Sequence, residues 1–277
     1  MRYGEIKIIN VIVIYNLLIT DSPIFEGIKN ELEQNTQILI VDNSTDENIS
    51  RENKQTADLS TYCNYLNSGG NLGLSKAYNR VIDFQSQFNW VVFWDQDTTL
   101  MGHYLEQLRT DIQNNEAAKL IVPTVYSDRG QMSPRSYKRS KITNPVKGLG
   151  FKKKLTAINS GLAIEINTFI ELGTYDDRMF IDYLDHDLVI RYNNQFGDIF
   201  VSSNVLRQKF SNDNHNNYQG DIFRFSKYIV DYKIFTENVS GSKCYFWMKI
   251  FYRALRLGVL HKNVSFLNEI FKMIRLK

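Results

Sequence analysis

Cysteine is scarce in this chain: Cys63 and Cys244 stand alone among 277 residues, too few for a disulfide framework and without zinc-site spacing. That usage predicts a reducing compartment. The opening Met-Arg-Tyr-Gly-Glu runs into a strand-like stretch interrupted by Asn10, which is no secretory signal peptide. Histidine is sparse too, and His103, His186, His215 and His261 show no ligand spacing. The net charge of +3 gives no footing for general nucleic-acid binding. No apolar run approaches the roughly 20 residues of a spanning helix, so membrane contact would be peripheral. With 43% hydrophobic and 23% charged residues the chain reads as globular, long enough for one large α/β domain carrying a helical extension.

Against those absences, one stretch stands out. Trp90-Val91-Val92-Phe93-Trp94 is an unbroken apolar run of the kind found in strands buried on both faces, and Asp95-Gln96-Asp97 follows at its end. In an open α/β sheet ligands bind beyond the carboxyl ends of strands. Two hard oxygen donors there suit Mg2+ or Mn2+, ions that complete their shells with phosphate oxygens and water. Aspartates after strands also serve as turn formers, so the rest of the chain must decide.

At the amino terminus, Ile8 to Asn16 is a β-branched strand, Pro23 opens a helix through Phe25, Ile28 and Leu32, and Ile38-Leu39-Ile40-Val41 is a second buried strand. Strand, helix, strand in this order is a βαβ unit and implies a parallel sheet. The second strand runs into Asp42-Asn43-Ser44-Thr45-Asp46. A carboxylate at Asp42 can accept the imide N–H of a uracil or thymine ring, while Asp46 reads as a helix cap. Tyr62 to Leu66 is a third strand, followed by Gly69-Gly70-Asn71-Leu72-Gly73-Leu74-Ser75-Lys76. Its glycines permit tight turns and close ligand approach, and the helix they open would aim free N–H groups at an anion. Lys76 lacks the Gly-Lys-Ser/Thr order of a P-loop. Gly70 and Asn71 are the candidates for nucleotide contact.

Val41-Asp42-Asn43-Ser44, Gly70-Asn71-Leu72-Gly73 and Asp95-Gln96-Asp97, each after a buried strand and in this order, resemble the family 2 glycosyltransferases of GT-A fold over roughly residues 7 to 210. The resemblance implies that Asp42 reads the pyrimidine, that Gly70 and Asn71 lie beside the nucleotide, and that Asp95 and Asp97 hold Mn2+ or Mg2+ on the diphosphate of a nucleotide sugar. It also places Ile158-Asn159-Ser160-Gly161-Leu162-Ala163-Ile164 at the floor of the acceptor side.

Further on, Leu184, Leu188, Val189, Tyr192 and Phe196 follow helical spacing, so Asp185 falls in a first helical turn, where the dipole favours an ionised carboxylate. Asp185 aligns with the aspartate the family uses as catalytic base, although Leu184 stands where Glu-Asp-x-Asp would put glutamate. The wording Phe180-Ile181-Asp182-Tyr183-Leu184-Asp185 is closer to the branch that resembles rhamnosyltransferases, which use dTDP-L-rhamnose. Relatives often carry a histidine near Gln208; this chain does not, and His215 follows in a polar loop. The polar, basic text from Ser127 to Lys154 is expected to be a mobile loop, a lid or an acceptor surface.

Residues 220 to 277 read as helices rich in aromatic and basic residues, with Glu269 as the sole acid after Lys243. Such helices can lie on an anionic membrane surface, cap the core or form a homodimer interface. The expectation is therefore an α/β protein of GT-A (Rossmann-like) fold, with a mostly parallel central sheet flanked by helices. A catalytic domain over 1–215 carries a helical extension over 216–277. Its function would be inverting, metal-dependent transfer of a sugar, L-rhamnose from dTDP-β-L-rhamnose, to a glycan or lipid-linked saccharide acceptor in the cytoplasm, at the inner face of the membrane. A UDP-sugar donor, a sugar-nucleotide or glycan-binding protein without turnover, and a nucleotidyltransferase are the competing readings. The last would need a basic phosphate loop near the first strand, where Ile14-Tyr15-Asn16-Leu17-Leu18 has none.

Overall fold

The computed structural model describes residues 4–208 and 217–275. In chain order the elements are β1 (Ile8–Ile14), α1 (Pro23–Asn30), β2 (Thr36–Asp42), α2 (Glu47–Asp58), β3 (Cys63–Asn67), α3 (Leu74–Asn79), β4 (Trp90–Asp95), β5 (Thr98–Leu100), α4 (Tyr104–Asn114) and β6 (Leu120–Ser127). There follow β7 (Gly130–Ser133), β8 (Arg135–Lys138), β9 (Lys141–Pro145), β10 (Gly150–Lys152), β11 (Leu155–Thr156), β12 (Leu162–Glu165), α5 (Ile166–Glu171), α6 (Leu184–Gln195) and β13 (Ile199–Gln208). Three helices close the chain: α7 (Tyr218–Asn238), α8 (Lys243–His261) and α9 (Ser265–Arg275).

The main sheet has ten strands in the order β10-β13-β6-β12-β4-β1-β2-β3, with β5 on β13 and β7 on β6. β4, β1, β2 and β3 run parallel, as do β6 and β13, whereas β12 is antiparallel to both its neighbours, β4 and β6. Alternation of side chains along β1 divides the core. Ile9, Val11 and Val13 face the layer of α3, α5, α6 and α7–α9, while Ile8, Ile12 and Ile14 face α1, α2 and α4. Asn10 does not interrupt the strand. Fully buried, it accepts the Trp94 indole N–H (3.0 Å) and donates to Gln37 O (3.3 Å), so two polar groups inside the sheet satisfy each other.

The parallel order aligns the carboxyl ends of β1, β2 and β4 at one edge, and hydrogen bonds knit them together. Tyr15 N–H donates to Gln96 Oε1 (2.9 Å), Asn16 N–H to Ser44 Oγ (2.8 Å), and Ser22 Oγ to Gln96 O (2.8 Å). The reversed strand β12 brings the turn before it under the end of β4, where Gly161 N–H donates to Phe93 O (3.0 Å). Gly161 has φ +74°, and a Cβ there would lie 2.7 Å from Leu206 and 2.9 Å from Pro123, so glycine is required.

The stretch from Ser127 to Lys154 corrects the expectation of a mobile loop. It forms β7 to β10; β8 and β9 join β11 in a separate three-stranded sheet, while β7 and β10 extend the main one. These strands are short and half exposed, so they carry no apolar run that would betray them. Its Arg135 bonds inward, to Thr143 O (2.8 Å) and Gln131 O (3.1 Å). The boundary expected between 215 and 216 lies outside the described residues, as does His215. Helices α7–α9 bury Phe225, Phe235, Phe246, Ile250, Phe266 and Ile270 in the same hydrophobic cluster as one face of the sheet.

Candidate active site

Asp95 and Asp97 stand where β4 leaves the sheet, and four side chains from distant parts of the chain converge on them. Tyr78 OH lies 3.0 Å from Asp95 Oδ1; Ser160 Oγ lies 2.8 Å from Asp95 Oδ2. Gln208, at the end of β13, places Nε2 3.0 Å from Asp95 Oδ2 and 3.0 Å from Asp97 Oδ1, and its Oε1 lies 2.8 Å from Ser160 Oγ. The fourth, Arg224 on α7, adds a positive field at Asp97 and pairs with Asp182 at 3.5 Å. Burial, then repulsion from Asp95, pushes the Asp97 carboxyl up to about 6, against the Gln208 hydrogen bond that favours the anion.

The glycine loop follows β3, which pairs in parallel with β2. Gly70 has φ +131°, and Asn71 Oδ1 accepts Gly73 N–H (3.0 Å), which orders the turn. The expectation of free N–H groups at the start of α3 needs correction. Leu74 N–H is taken by Phe180 O at 2.6 Å, and a Cβ on Gly73 would lie 2.7 Å from the Phe180 ring, so this helix end is packed against residue 180.

Asp42 is placed at the end of β2 as expected, but its carboxylate faces inward. It is fully buried and accepts Ser44 N–H (2.8 Å), Asn53 Nδ2 (2.9 Å) and Tyr65 OH (2.9 Å). The geometry suits an aspartate that holds the 43–46 turn, which Asn43 then ties to Gly73 O (3.2 Å). Asp46 caps α2 through Asn48 and Ile49 N–H.

Asp185 sits in the first turn of α6, half-buried, with Oδ1 accepting His186 N–H (2.7 Å). Burial raises its pKa; His186 opposes the rise, and the fields of Asp95 and Asp182 add to it. Here burial outweighs the helix dipole, opposite to the expectation that position in the first turn favours the ionised form. A raised pKa makes the ionised carboxylate a stronger base. Asp95 and Asp185 lie in each other's electrostatic field, and both act on the Tyr78 and Tyr175 phenols, whose rings are 5.5 Å apart. The strand-end Asp95 and the helix-start Asp185 are therefore near enough to act on each other's charge. Asp187 takes no part, being fully buried and paired with Arg191 (2.8 Å).

Two carboxylates bridged by an amide form a small, hard donor set. Among the described residues no group of three or more His, Cys, Asp or Glu side chains gathers as a complete metal cage. The mutual repulsion that raises Asp97 is what a divalent cation would relieve, so the pair fits an ion that takes its other ligands from a diphosphate and water. Tyr78 and Arg224 escaped sequence reading because each sits in an ordinary helix and reaches the acids only through the fold, and for the same reason the bond from Ser160 to Asp95 was not foreseen although its segment was singled out.

Glycosyl transferase family 2 matches this sequence over residues 11–154. The chain belongs to that family. This family 2 chain is 27% identical over 190 residues to the dTDP-rhamnosyl transferase RfbF of Shigella flexneri, a match covering 64% of this chain and 62% of that protein's length. Among solved structures it is similar to GalNAc-T7 with UDP, GalNAc and Mn2+ (TM-score 0.58, 16% identity, covering 89% of this chain and 57% of that one). It is also similar to S. aureus TarS 1–349 (TM-score 0.55, 13% identity, 98% of this chain and 74% of that one). These likenesses show the GT-A fold, with the mostly parallel sheet and C-terminal helices expected of it.

Proposed function

We propose that this family 2 glycosyltransferase moves L-rhamnose, with inversion, from dTDP-β-L-rhamnose to a hydroxyl of a lipid-linked glycan in cell-surface polysaccharide synthesis. The reading is supported by Asp185 standing in the field of Asp95, both acting on the Tyr78 and Tyr175 phenols, and by Gln208, which ties Asp95 to Asp97. The similarity to a dTDP-rhamnosyl transferase supports the donor. Asp185 takes the proton of the acceptor hydroxyl as that oxygen forms its bond to the anomeric carbon, and the bond to the diphosphate breaks on the opposite face, leaving an α-linkage. Asp95 and Asp97 would hold Mn2+ or Mg2+, which when bound offsets negative charge on the departing diphosphate. Arg224 adds a fixed positive charge on the same side. Gly70 and Asn71 border the nucleotide, and Asp42 contributes to the pyrimidine end by holding the 43–46 turn.

The acceptor would be met at a membrane. α8 exposes Met248, Phe251, Tyr252, Leu255 and Val259 along one stripe, opposite the stripe it buries, and α9 exposes Phe271 and Ile274. Lys249, Arg256, Lys262 and Lys272 flank these apolar residues. Such a face suits the anionic inner surface of a cell membrane; no helix among the described residues is long and apolar enough to cross one.

Incubation with a panel of nucleotide sugars and Mn2+, read as nucleoside diphosphate released, tests the reaction. Consumption of dTDP-rhamnose alone is expected, and preference for a UDP-sugar would overturn the donor. Asp185→Asn should lose transfer by about 10²–10⁴-fold, the range for a removed general base, while nucleotide affinity holds; full activity would remove Asp185 from the mechanism.

A further inference from the structure

We infer that Asp231 of α7 is a positioning residue that holds the Asp185 carboxylate in place by clasping the backbone just before it. The inference rests on the reading of Asp185 as the base. Asp231 is fully buried, and its oxygens accept three successive amides: Phe180 N–H at 2.7 Å, Ile181 N–H at 2.8 Å and Asp182 N–H at 2.9 Å. Three converging N–H groups form an anion nest, and here they stabilise a carboxylate that forms no ion pair among the described residues. Asp182, whose charge acts on Asp231, pairs in turn with Arg224 at 3.5 Å.

The residue after the nest is forced into an unusual shape. Tyr183 has φ +67° and ψ −1°, a left-handed conformation that costs a non-glycine residue roughly 1 kcal/mol or more. Its ring stacks on Tyr232 (centroids 4.7 Å apart) and Phe235 (4.9 Å), both also from α7. On the far side, Phe180 O accepts Leu74 N–H. Residues 180–183 are thus gripped between the glycine loop and α7, and α6 begins at the next residue without any side-chain cap of its own. The direction in which α6 delivers Asp185 toward Asp95 follows from this grip. A displacement of about 1 Å at a reacting group can lower turnover about 10²-fold.

Asparagine at 231 keeps one acceptor oxygen and turns an N–H donor toward amides that are themselves donors. Asp231→Asn in the full chain should therefore lower kcat about 10²-fold with donor KM and nucleotide affinity unchanged, and move the acidic limb of the kcat–pH profile, because the surroundings of Asp185 change. Amide exchange at residues 180–182 should accelerate. A merely structural loss would lower the folded fraction and leave the pH limb where it was. Wild-type kcat in folded Asp231→Asn, beside an inactive Asp185→Asn, overturns the inference alone. Full turnover in Asp185→Asn overturns the base assignment and this inference with it. If Asp231→Asn does not fold, Asp231→Glu carries the test: it keeps the charge but displaces the carboxylate from the three amides by one methylene, so a lowered kcat is expected and wild-type kcat there counts as refutation.

Discussion

Asp97 shows what a single site residue does to the protein that carries it. Its folded pKa of about 6 lies above the ordinary 3.8, so the folded state holds the Asp97 proton more tightly than the unfolded chain does. That favourable difference is complete below about pH 4, fades as pH rises to about 6, and is absent at pH 7, where the anion weighs against folding. Asp97→Asn in metal-free protein should therefore be more stable at pH 7, on the order of 1–2 kcal/mol after allowing for partial exposure, and unchanged near pH 4. Mn2+ binding, followed by calorimetry, should be lost in the same variant. The positions of Asp95 and Asp97 after a strand and of Asp185 at a helix start were legible because each follows a local pattern, an apolar run or a helical stripe. The inward turn of Asp42 was not, since burial of a strand-end carboxylate depends on Asn53 and Tyr65, which no spacing rule connects to it. Asp231 was hidden more deeply: its partners are backbone amides some 50 residues away, and backbone groups carry no sequence signature.

Among elements, the C-terminal helices divide their work. α7 grips the catalytic segment, whereas α8 shows one stripe to the core and another to solvent. Phe246, Ile250, Ala254 and Leu257 are buried, and Val259 on the opposite side is 79% exposed. Removing α8 and α9 would strip the core, so surface substitutions are the sharper probe. Leu255→Glu with Val259→Glu should release the protein from vesicles containing anionic lipid in a sedimentation assay while leaving Tm within a few degrees of wild type. Retention on the vesicles would exclude lipid docking by this stripe, and a shift from dimer to monomer in the variant would assign the stripe to a second copy instead. The amphipathic nature of these helices could be read from their aromatic and basic text. The strands between Ser127 and Lys154 could not, because each is too short and too exposed to impose alternation.

Across the molecule, the parallel strands and the two faces of the sheet were visible in β1, β2 and β4, whose largely apolar runs demand cover on both sides. The reversal of β12 was not, since direction is set by pairing rather than by composition. Long-range ties of this kind also govern the response to acid. Asp176 is held down to about 2, first by its hydrogen bonds to Arg178, and it also accepts Asn238 Nδ2 of α7 (3.2 Å). Its lowered pKa contributes stability that is present above about pH 4 and lost as pH falls through about 2. Arg178→Ala should flatten the dependence of stability on pH between those values. Because Arg178 is largely exposed, the loss at pH 7 should be small, below about 1 kcal/mol by chemical denaturation.

The clasp at residue 231 also bears on how the protein is made. Translation delivers Asp95 and Asp185 before it delivers α7, so on the proposal that Asp231 positions Asp185, a chain cut short ahead of α7 would hold Asp95, Asp97 and Asp185 and still be expected to lack transfer.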